Sequence, residues 1–457
     1  MSLHALLSRR ESEDRPIRVG IIGAGKFGSM YLAQARRTLG VHIMAIADLS
    51  PQRARMALRR VGWPKEQYDA SSFADAVATR KTFITEDSQA LVAADGLDVV
   101  IDATGVPAVG IRHALLAAEH GRHIVMVNVE ADVLAGPILA RKVEAAGGVY
   151  SLAYGDQPAL IAEIVDWARA AGFDVVSAGK GTKYLPVYHE STPETVWQHY
   201  GQNLTPDEAN AAGLNSQMFN SFLDGTKSGI EMAAVANATG LTPAPHGLVF
   251  PPCGTQDLTH VMRPKTEGGV LHHKGQVEVI SSSERDAREV VNDLRWGVFA
   301  TLEAPDEYVR ECFAQYGLIQ SAIGQYAAMY KPYHLIGLEL GISVANAALR
   351  GEATGSPDGW RGDVVATAKR DLKAGEVLDG EGGYTVWGKL MPAEDSLKTG
   401  GLPIGLAHHV KLKRAIRKGE QIGWTDAENN ETSEAYRIRR EMEDTFALSN
   451  TGPTDND

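Results

Sequence analysis

Ile17-Arg18-Val19-Gly20-Ile21-Ile22-Gly23-Ala24-Gly25-Lys26-Phe27-Gly28 is the stretch that decides the fold. Its apolar first half reads as a buried strand and the amphipathic residues beyond it as a helix, so Gly23, Gly25 and Gly28 fall in a strand-to-helix turn. Glycines there leave main-chain N–H groups uncovered at the positive end of a helix, where a pyrophosphate can rest against backbone that no Cβ obstructs. Asp48 lies twenty residues past the last glycine, at the end of the next apolar run, where an acid meets ribose hydroxyls. Gly23, Gly25, Lys26, Phe27, Gly28 and Asp48 are therefore the expected contacts of a nicotinamide dinucleotide. The alternative is a glycine turn that only lets helix and sheet approach.

Outward from this turn, Ile17 to Ala178 alternates short apolar strands with helices, the rhythm of a parallel sheet covered on both faces. Pro107 to Gly121, Pro137 to Gly147 and Pro158 to Gly172 each begin on a proline and end on a glycine, as helices do. Strands are expected at Leu97 to Ala103, Ile124 to Val129, Val149 to Ala153 and Phe173 to Ala178, with Phe83-Ile84 as a further short one. The first fifteen residues read as a solvated helical arm. After Gly181 the rhythm changes to an α+β pattern with helical stretches such as Val290 to Phe299. Leu335 to Leu349 reads as an apolar helix able to pack back on the first domain. Gly351 to Gly362 is a glycine-rich linker. The expected fold is α/β: a Rossmann-type doubly wound parallel sheet over 16–155, an α+β substrate and oligomerisation domain over 156–350, and a small β-rich domain over 362–426. A charged helix and polar tail, 433–457, end the chain.

The 457 residues carry 45 Lys+Arg against 57 Asp+Glu, a net charge of −12. That balance provides no electrostatic reason to bind nucleic acid or anionic lipid. Cys253 and Cys312 are the two cysteines, without a CxxC pair, and no apolar run reaches the roughly 20 residues of a bilayer span. A cytoplasmic protein acting on a small molecule, without nucleic-acid or membrane partners, is expected. The apolar 335–349 region and the sheet edge of the central domain suggest a homo-oligomer, dimer or tetramer.

Candidate chemistry gathers at the carboxyl ends of the strands, where ligands collect in open α/β sheets. Thr104 and Gly105 leave one strand, Asn128 the next and Asp156 the one after. Asn128 and Asp156 read equally as helix caps or as contacts to nicotinamide, substrate or metal. Ser177 to Gly181 leaves the last strand of the same sheet, and Lys180, between Gly179 and Gly181, is the expected cation or proton donor for a carbonyl oxygen that gains charge on hydride transfer; Lys183 and Lys227 are weaker versions of it. Glu231 lies in a small, apolar helix and needs a cation, a donor or a metal, a need that pairing with the lysine would meet. His334 is a candidate acid/base or phosphate contact. Asp156 and Glu231 are the weak metal candidates, so a divalent ion stays open. Asp48 favours NAD over NADP, since a second negative charge about 4 Å away costs on the order of 4 kcal/mol at an effective dielectric of about 20. Arg53 and Arg55 follow closely enough to compensate.

The Rossmann opening, Ile101 to Gly105, Val125 to Asp132 (VMVNVEAD), Val176 to Gly181 (VSAGKG), Glu231 to Leu241 and Pro332-Tyr333-His334 together resemble the homoserine-dehydrogenase-like oxidoreductases. Among these the chain is most similar to the deoxyxylulose-phosphate reductoisomerase-like enzymes, DRL. Leu402 to Leu406 and the two turns Leu372 to Glu376 and Ile416 to Glu420 resemble a SAF domain. The resemblance implies an NAD(P)-dependent reductase of a small, polyhydroxylated carbon chain, phosphorylated or not. In its fullest form that is the reductoisomerase converting 1-deoxy-D-xylulose 5-phosphate to 2-C-methyl-D-erythritol 4-phosphate. The Asp-Ser-Glu-His metal signature of true reductoisomerases is absent, and Asp156-Gln157-Pro158 keeps one acid in the comparable loop. Two alternatives stand beside it: a simple dehydrogenase of a sugar acid or semialdehyde, and a non-catalytic NAD-binding sensor or assembly module.

Overall fold

A computed structural model of the chain describes residues 2–211, 214–322 and 324–449. By contact the chain divides into two units. One comprises residues up to Leu160 together with His334–Asp358, the other Ile161–Tyr333 together with the described residues from Gly359 on. The polar tail expected from the sequence lies, from residue 450, outside the described residues.

The first unit runs α1 (Leu3–Ser12), β1 (Ile17–Ile22), α2 (Lys26–Ala35), β2 (Val41–Ala47), α3 (Pro51–Arg60), α4 (Phe73–Thr79), β3 (Phe83–Thr85), α5 (Ser88–Ala93), β4 (Val99–Asp102), α6 (Pro107–Glu119), β5 (His123–Met126), α7 (Val129–Ala145), β6 (Tyr150–Leu152) and the start of α8 (Gln157–Ala170). The strands form one sheet in the order β3-β2-β1-β4-β5-β6, every pairing parallel. That is the doubly wound Rossmann order, whose two halves diverge at β1 and β4. Val19, Ile21, Ile43, Ile46, Val99 and Ile101 are buried in its core. With helices on both faces, the strands need no polar alternation, so these runs are predominantly apolar. Leu340, Val344 and Ala345 join the same core from the returning helix Gly341–Arg350, and Leu3 and Leu7 of α1 pack against it. The N-terminal arm is therefore docked through its leucines rather than wholly solvated.

Two helix starts differ from the sequence reading. Helix α7 begins at Val129, not at Pro137, because Asn128 Oδ1 accepts the Ala131 N–H at 3.1 Å and caps the helix a full two turns earlier. Pro137 then lies inside the helix. The returning helix starts at Gly341 rather than Leu335, preceded by a turn in which Gly337 has φ +77°. A Cβ there would lie 2.8 Å from the Met30 Cβ of α2, so this turn is pressed against the first helix after the glycine motif.

The second unit carries β7 (Asp174–Thr182), α9 (Val196–His199), α10 (Pro206–Ala211), α11 (Ser216–Leu223), α12 (Thr226–Thr239), α13 (Leu258–Val261), β8 (Gln276–Ser281), β9 (Val298–Glu303), α14 (Glu307–Gln315), β10 (Ile319–Gln320) and β11 (Tyr326–Lys331). The helix Gly341–Arg350 is α15. Then follow β12 (Gly362–Ala368), β13 (Val377–Asp379), β14 (Val386–Pro392), α16 (Ala393–Thr399), β15 (His408–Lys411) and α17 (Glu434–Ser449). Its main sheet is mixed, in the order β10-β11-β9-β7-β8, and β7 is an interior strand of it rather than the last strand of the first sheet. An apolar run does not announce its sheet: the parallel partner of β7, β8, comes from Gln276–Ser281. Val290 to Gly297 is an irregular loop with Asn292 at φ +53°, leading into β9, not the helix its composition suggested.

Strands β12 and β14 form a ladder covered by α12. Small residues make this approach feasible: Gly229 would carry a Cβ 3.2 Å from the Gly388 carbonyl oxygen, and Asn237 Oδ1 accepts the N–H groups of Arg361 and Gly362. The two similar turns meet each other through Leu372 and Ile416, which exchange backbone hydrogen bonds at 2.8 and 3.0 Å. Helix α17 is locked down by the fully buried Arg439, which grips Asp363 with both Nη atoms and Glu443 with Nε. A buried guanidinium needs such partners.

Candidate active site

The three motif glycines are required for three different reasons. Gly23 sits at φ +99°, and a Cβ there would lie 2.6 Å from the Ala103 carbonyl oxygen. Gly28, in the first turn of α2, would place a Cβ 2.4 Å from the Gly23 carbonyl oxygen. Gly25 has ordinary φ, and a Cβ on it would meet nothing within 4 Å. Gly23 thus makes the turn and Gly28 brings helix against strand, while Gly25 turns bare backbone toward open space at the start of α2. That division matches what a pyrophosphate seat demands. Lys26 and Phe27 open the helix, and Gly25 precedes them without a side-chain cap.

Asp48 ends β2 with its side chain fully buried. Oδ2 accepts the Ala24 N–H at 2.8 Å and Oδ1 the Ser50 N–H at 2.8 Å. Arg53 lies on the same carboxylate, with Nη2 2.7 Å from Oδ1.

At the end of β4, Asp102 organises the next loop. Its Oδ1 accepts from the N–H and hydroxyl of Thr104, and its Oδ2 lies 2.6 Å from His113 Nδ1. A carboxylate only accepts, so Nδ1 carries the proton and Nε2 is left facing Ser88 Oγ at 2.9 Å. Asn128 Nδ2 donates to Thr104 Oγ1 and to the Val106 carbonyl while its oxygen caps α7. Asn128 and Thr104 are therefore one connected rim, and Gly105 beside them, at φ +67°, has open space where a Cβ would be. Sequence reasoning found Thr104 and Asn128 but not Asp102, His113 and Ser88; the signal available was an acid closing an apolar strand.

Asp156 is buried and its Oδ1 accepts the Gln157 N–H at the start of α8. Gly155, at φ +92°, would carry a Cβ 2.8 Å from the Leu335 carbonyl oxygen, so the Asp156 loop abuts the turn that begins at His334. The structure thus brings Asp156 and the His334 turn together. Deeper in this unit, Tyr150 donates to Asp132 Oδ1 at 2.9 Å. Burial raises the Asp132 carboxyl to about 7, and its Oδ2 meets no hydrogen-bond partner among the described residues.

In the second unit Lys180 lies within β7, not in a loop beyond a strand. Gly179 and Gly181 flank it on the opposite face of the sheet. A Cβ on Gly179 would fall 1.7 Å from the Glu278 carbonyl oxygen, and one on Gly181 1.9 Å from that of Leu294. Lys180 Nζ is in direct contact with Glu231 Oε2 of α12, both side chains being nearly buried. The two residues that sequence reasoning paired on grounds of charge are thus in contact, 51 positions apart. Lys183 Nζ donates to the His199 carbonyl, and burial lowers its pKa.

A second buried pair went unseen in the sequence. Lys369 Nζ lies 2.7 Å from Asp224 and donates to the Ser191 and Gly383 carbonyls. Beside it His189 is held between the Asp224 carbonyl and the Tyr184 hydroxyl and stacks on Trp387, with burial lowering its pKa. Nothing local marks the Lys369–Asp224 pair, because its two members lie more than a hundred positions apart. Among the described residues no three His, Cys, Asp or Glu side chains group as metal ligands, and no helix is long and apolar enough to cross a membrane.

Residues 155–340 match the family described as oxidoreductase DRL, catalytic domain. No curated protein matches the chain. Among solved structures, an oxidoreductase from Agrobacterium radiobacter in complex with NAD+, L-tartaric acid and magnesium aligns at 17% identity over 37% of this chain and 44% of its own, with a TM-score of 0.26. The WlbA dehydrogenase from Bordetella pertussis in complex with NADH and UDP-GlcNAcA aligns at 17% over 37% and 48%, with a TM-score of 0.27. Biliverdin reductase from Synechocystis sp. PCC 6803 in complex with biliverdin and NADP+ aligns at 17% over 43% and 55%, with a TM-score of 0.27. The chain spans about half the length of the structures it matches.

Proposed function

We propose that the chain is an NAD(P)-dependent oxidoreductase that reduces a small polyhydroxylated aldehyde or ketone, or oxidises the corresponding polyol. The observation that carries this reading is Gly25, whose bare backbone faces open space between two glycines committed to packing. The nicotinamide cofactor supplies the hydride. Gly23 to Gly28 would hold its pyrophosphate, and Thr104, Gly105 and Asn128 the nicotinamide end. Lys180 holds a positive charge and a proton for the carbonyl oxygen, which becomes anionic as hydride arrives. Glu231, touching Lys180, is a positioning residue that keeps the ammonium oriented. His334 and Asp156 are assigned to the substrate or a divalent ion.

The finer reading, a reductoisomerase of a sugar phosphate, is favoured by the match of 155–340 to the DRL catalytic domain. It differs from simple reduction in the carbon skeleton of the product. Nicotinamide fluorescence with the purified chain, followed by a panel of sugar phosphates, sugar acids and polyols with and without Mg2+ or Mn2+, tests both. Turnover with an unrearranged product selects the simple dehydrogenase. Cofactor binding without turnover on any of them supports a sensor, and no cofactor binding defeats the proposal.

A further inference from the structure

We propose that Arg53 makes this site a receptor for the 2′-phosphate of NADP(H), and that Asp48 anchors the glycine loop and Arg53 instead of selecting an unphosphorylated ribose. The inference deepens the dinucleotide reading above and rests on it.

The acid at the end of β2 has already spent its acceptors. Ala24 donates to Asp48 Oδ2 and Ser50 to Oδ1, each at 2.8 Å. Arg53 adds Nε to Oδ2 at 3.2 Å and Nη2 to Oδ1 at 2.7 Å. With the Asp48 side chain at 0% exposure, a ribose hydroxyl seeking it as an acceptor must first displace one of these donors. Loss of the Ala24 bond would free the glycine loop itself, so the exchange works against dinucleotide binding.

Arg53 is the reverse case. Its side chain is 55% exposed although its guanidinium is fixed. The fixing has two sources: the Asp48 contact, and a position in the first turn of α3 where Ser50 Oγ accepts the Arg53 N–H. Only Nε and Nη2 engage Asp48, so the Nη1 end of the planar fork is not held by it. A planar, pre-oriented guanidinium matches the oxygens of a phosphate, and its charge cancels the repulsion that a bare carboxylate would exert on that phosphate. The acid that reads in sequence as a barrier to NADP is, in the fold, the counterion that aims an arginine.

Fluorescence titration of the full chain with NADPH and NADH tests this, with 2′,5′-ADP and 5′-AMP as competing probes. NADPH is expected to bind at least about tenfold tighter than NADH, and 2′,5′-ADP to compete better than 5′-AMP by a similar factor. Arg53→Ala should weaken NADPH about tenfold while moving NADH less than about threefold, and Arg53→Lys, which keeps the charge but not the fork, should fall between. The wild-type competition between 2′,5′-ADP and 5′-AMP stands even where a variant folds poorly. Equal or tighter binding of NADH, or an Arg53→Ala variant that loses both nucleotides equally, overturns the inference while the dinucleotide site survives. Binding of neither nucleotide overturns both.

Discussion

Glycine is used in opposite ways in the two units of the chain. In the first unit Gly25 leaves a space in front of the backbone, with nothing within 4 Å of where a Cβ would be. In the second, Gly179 and Gly181 exist because the Glu278 and Leu294 carbonyls already occupy that space. A glycine that keeps room for a ligand should be replaceable without loss of fold, and one that keeps room for neighbouring backbone should not. The sequence shows only that both stretches are glycine-rich beside a lysine.

The largest expected effect is at Lys180. Lys180→Met should cut turnover on the order of 10²–10³-fold while leaving dinucleotide affinity unchanged. It should also destabilise the fold by about 3–5 kcal/mol, since Glu231 is left buried without its cation. Adding Glu231→Gln should return much of that stability in urea denaturation without returning turnover; recovery of both would show the pair to be structural.

Gly181→Ala comes next, with a Cβ driven into the Leu294 backbone. It should destabilise by about 3 kcal/mol or more, read from the shift of the denaturation midpoint. A variant as stable as the parent would break the contrast with Gly25.

Gly25→Val sharpens the other side. Its backbone angles suit an L-residue, so stability should change by less than about 1 kcal/mol while NADPH affinity falls about tenfold or more. Undiminished binding in isothermal titration would place the pyrophosphate elsewhere.

The last expectation concerns pH. Burial raises the Asp132 carboxyl from 3.8 to about 7. A carboxyl whose folded pKa lies above its unfolded one adds stability that is complete below the unfolded value and is lost as pH climbs through the folded one. Asp132→Asn should therefore flatten the decline in thermal midpoint between about pH 4 and pH 7, and a decline unchanged in the variant would clear Asp132 as its source.

What was legible followed from local pattern. The strand-turn-helix at Ile17 to Gly28, the helices opening at Pro107 and near Pro158, and the short strand at Phe83 all carry their signals within a dozen residues. Asn128 outranked Pro137 as a helix start because a side-chain oxygen satisfies an exposed N–H, whereas a proline merely lacks one. The pairing of Lys180 with Glu231 could be anticipated, since a buried acid in an apolar helix demands a cation, but the strand carrying Lys180 was assigned to the wrong sheet. Asp48 was legible as an acid closing the second strand; that Arg53 would bond to its carboxylate was not.

Periodicity, glycine spacing and charge determined on their own that a parallel Rossmann sheet opens this chain and that a lysine and an acid need one another in its middle. Which sheet takes the Lys180 strand, which glycines face emptiness and which face a carbonyl, and whether Asp48 has an oxygen to spare were decided only in three dimensions. Each depends on a neighbour brought from elsewhere in the chain, and a linear pattern records what a residue needs without recording who supplies it.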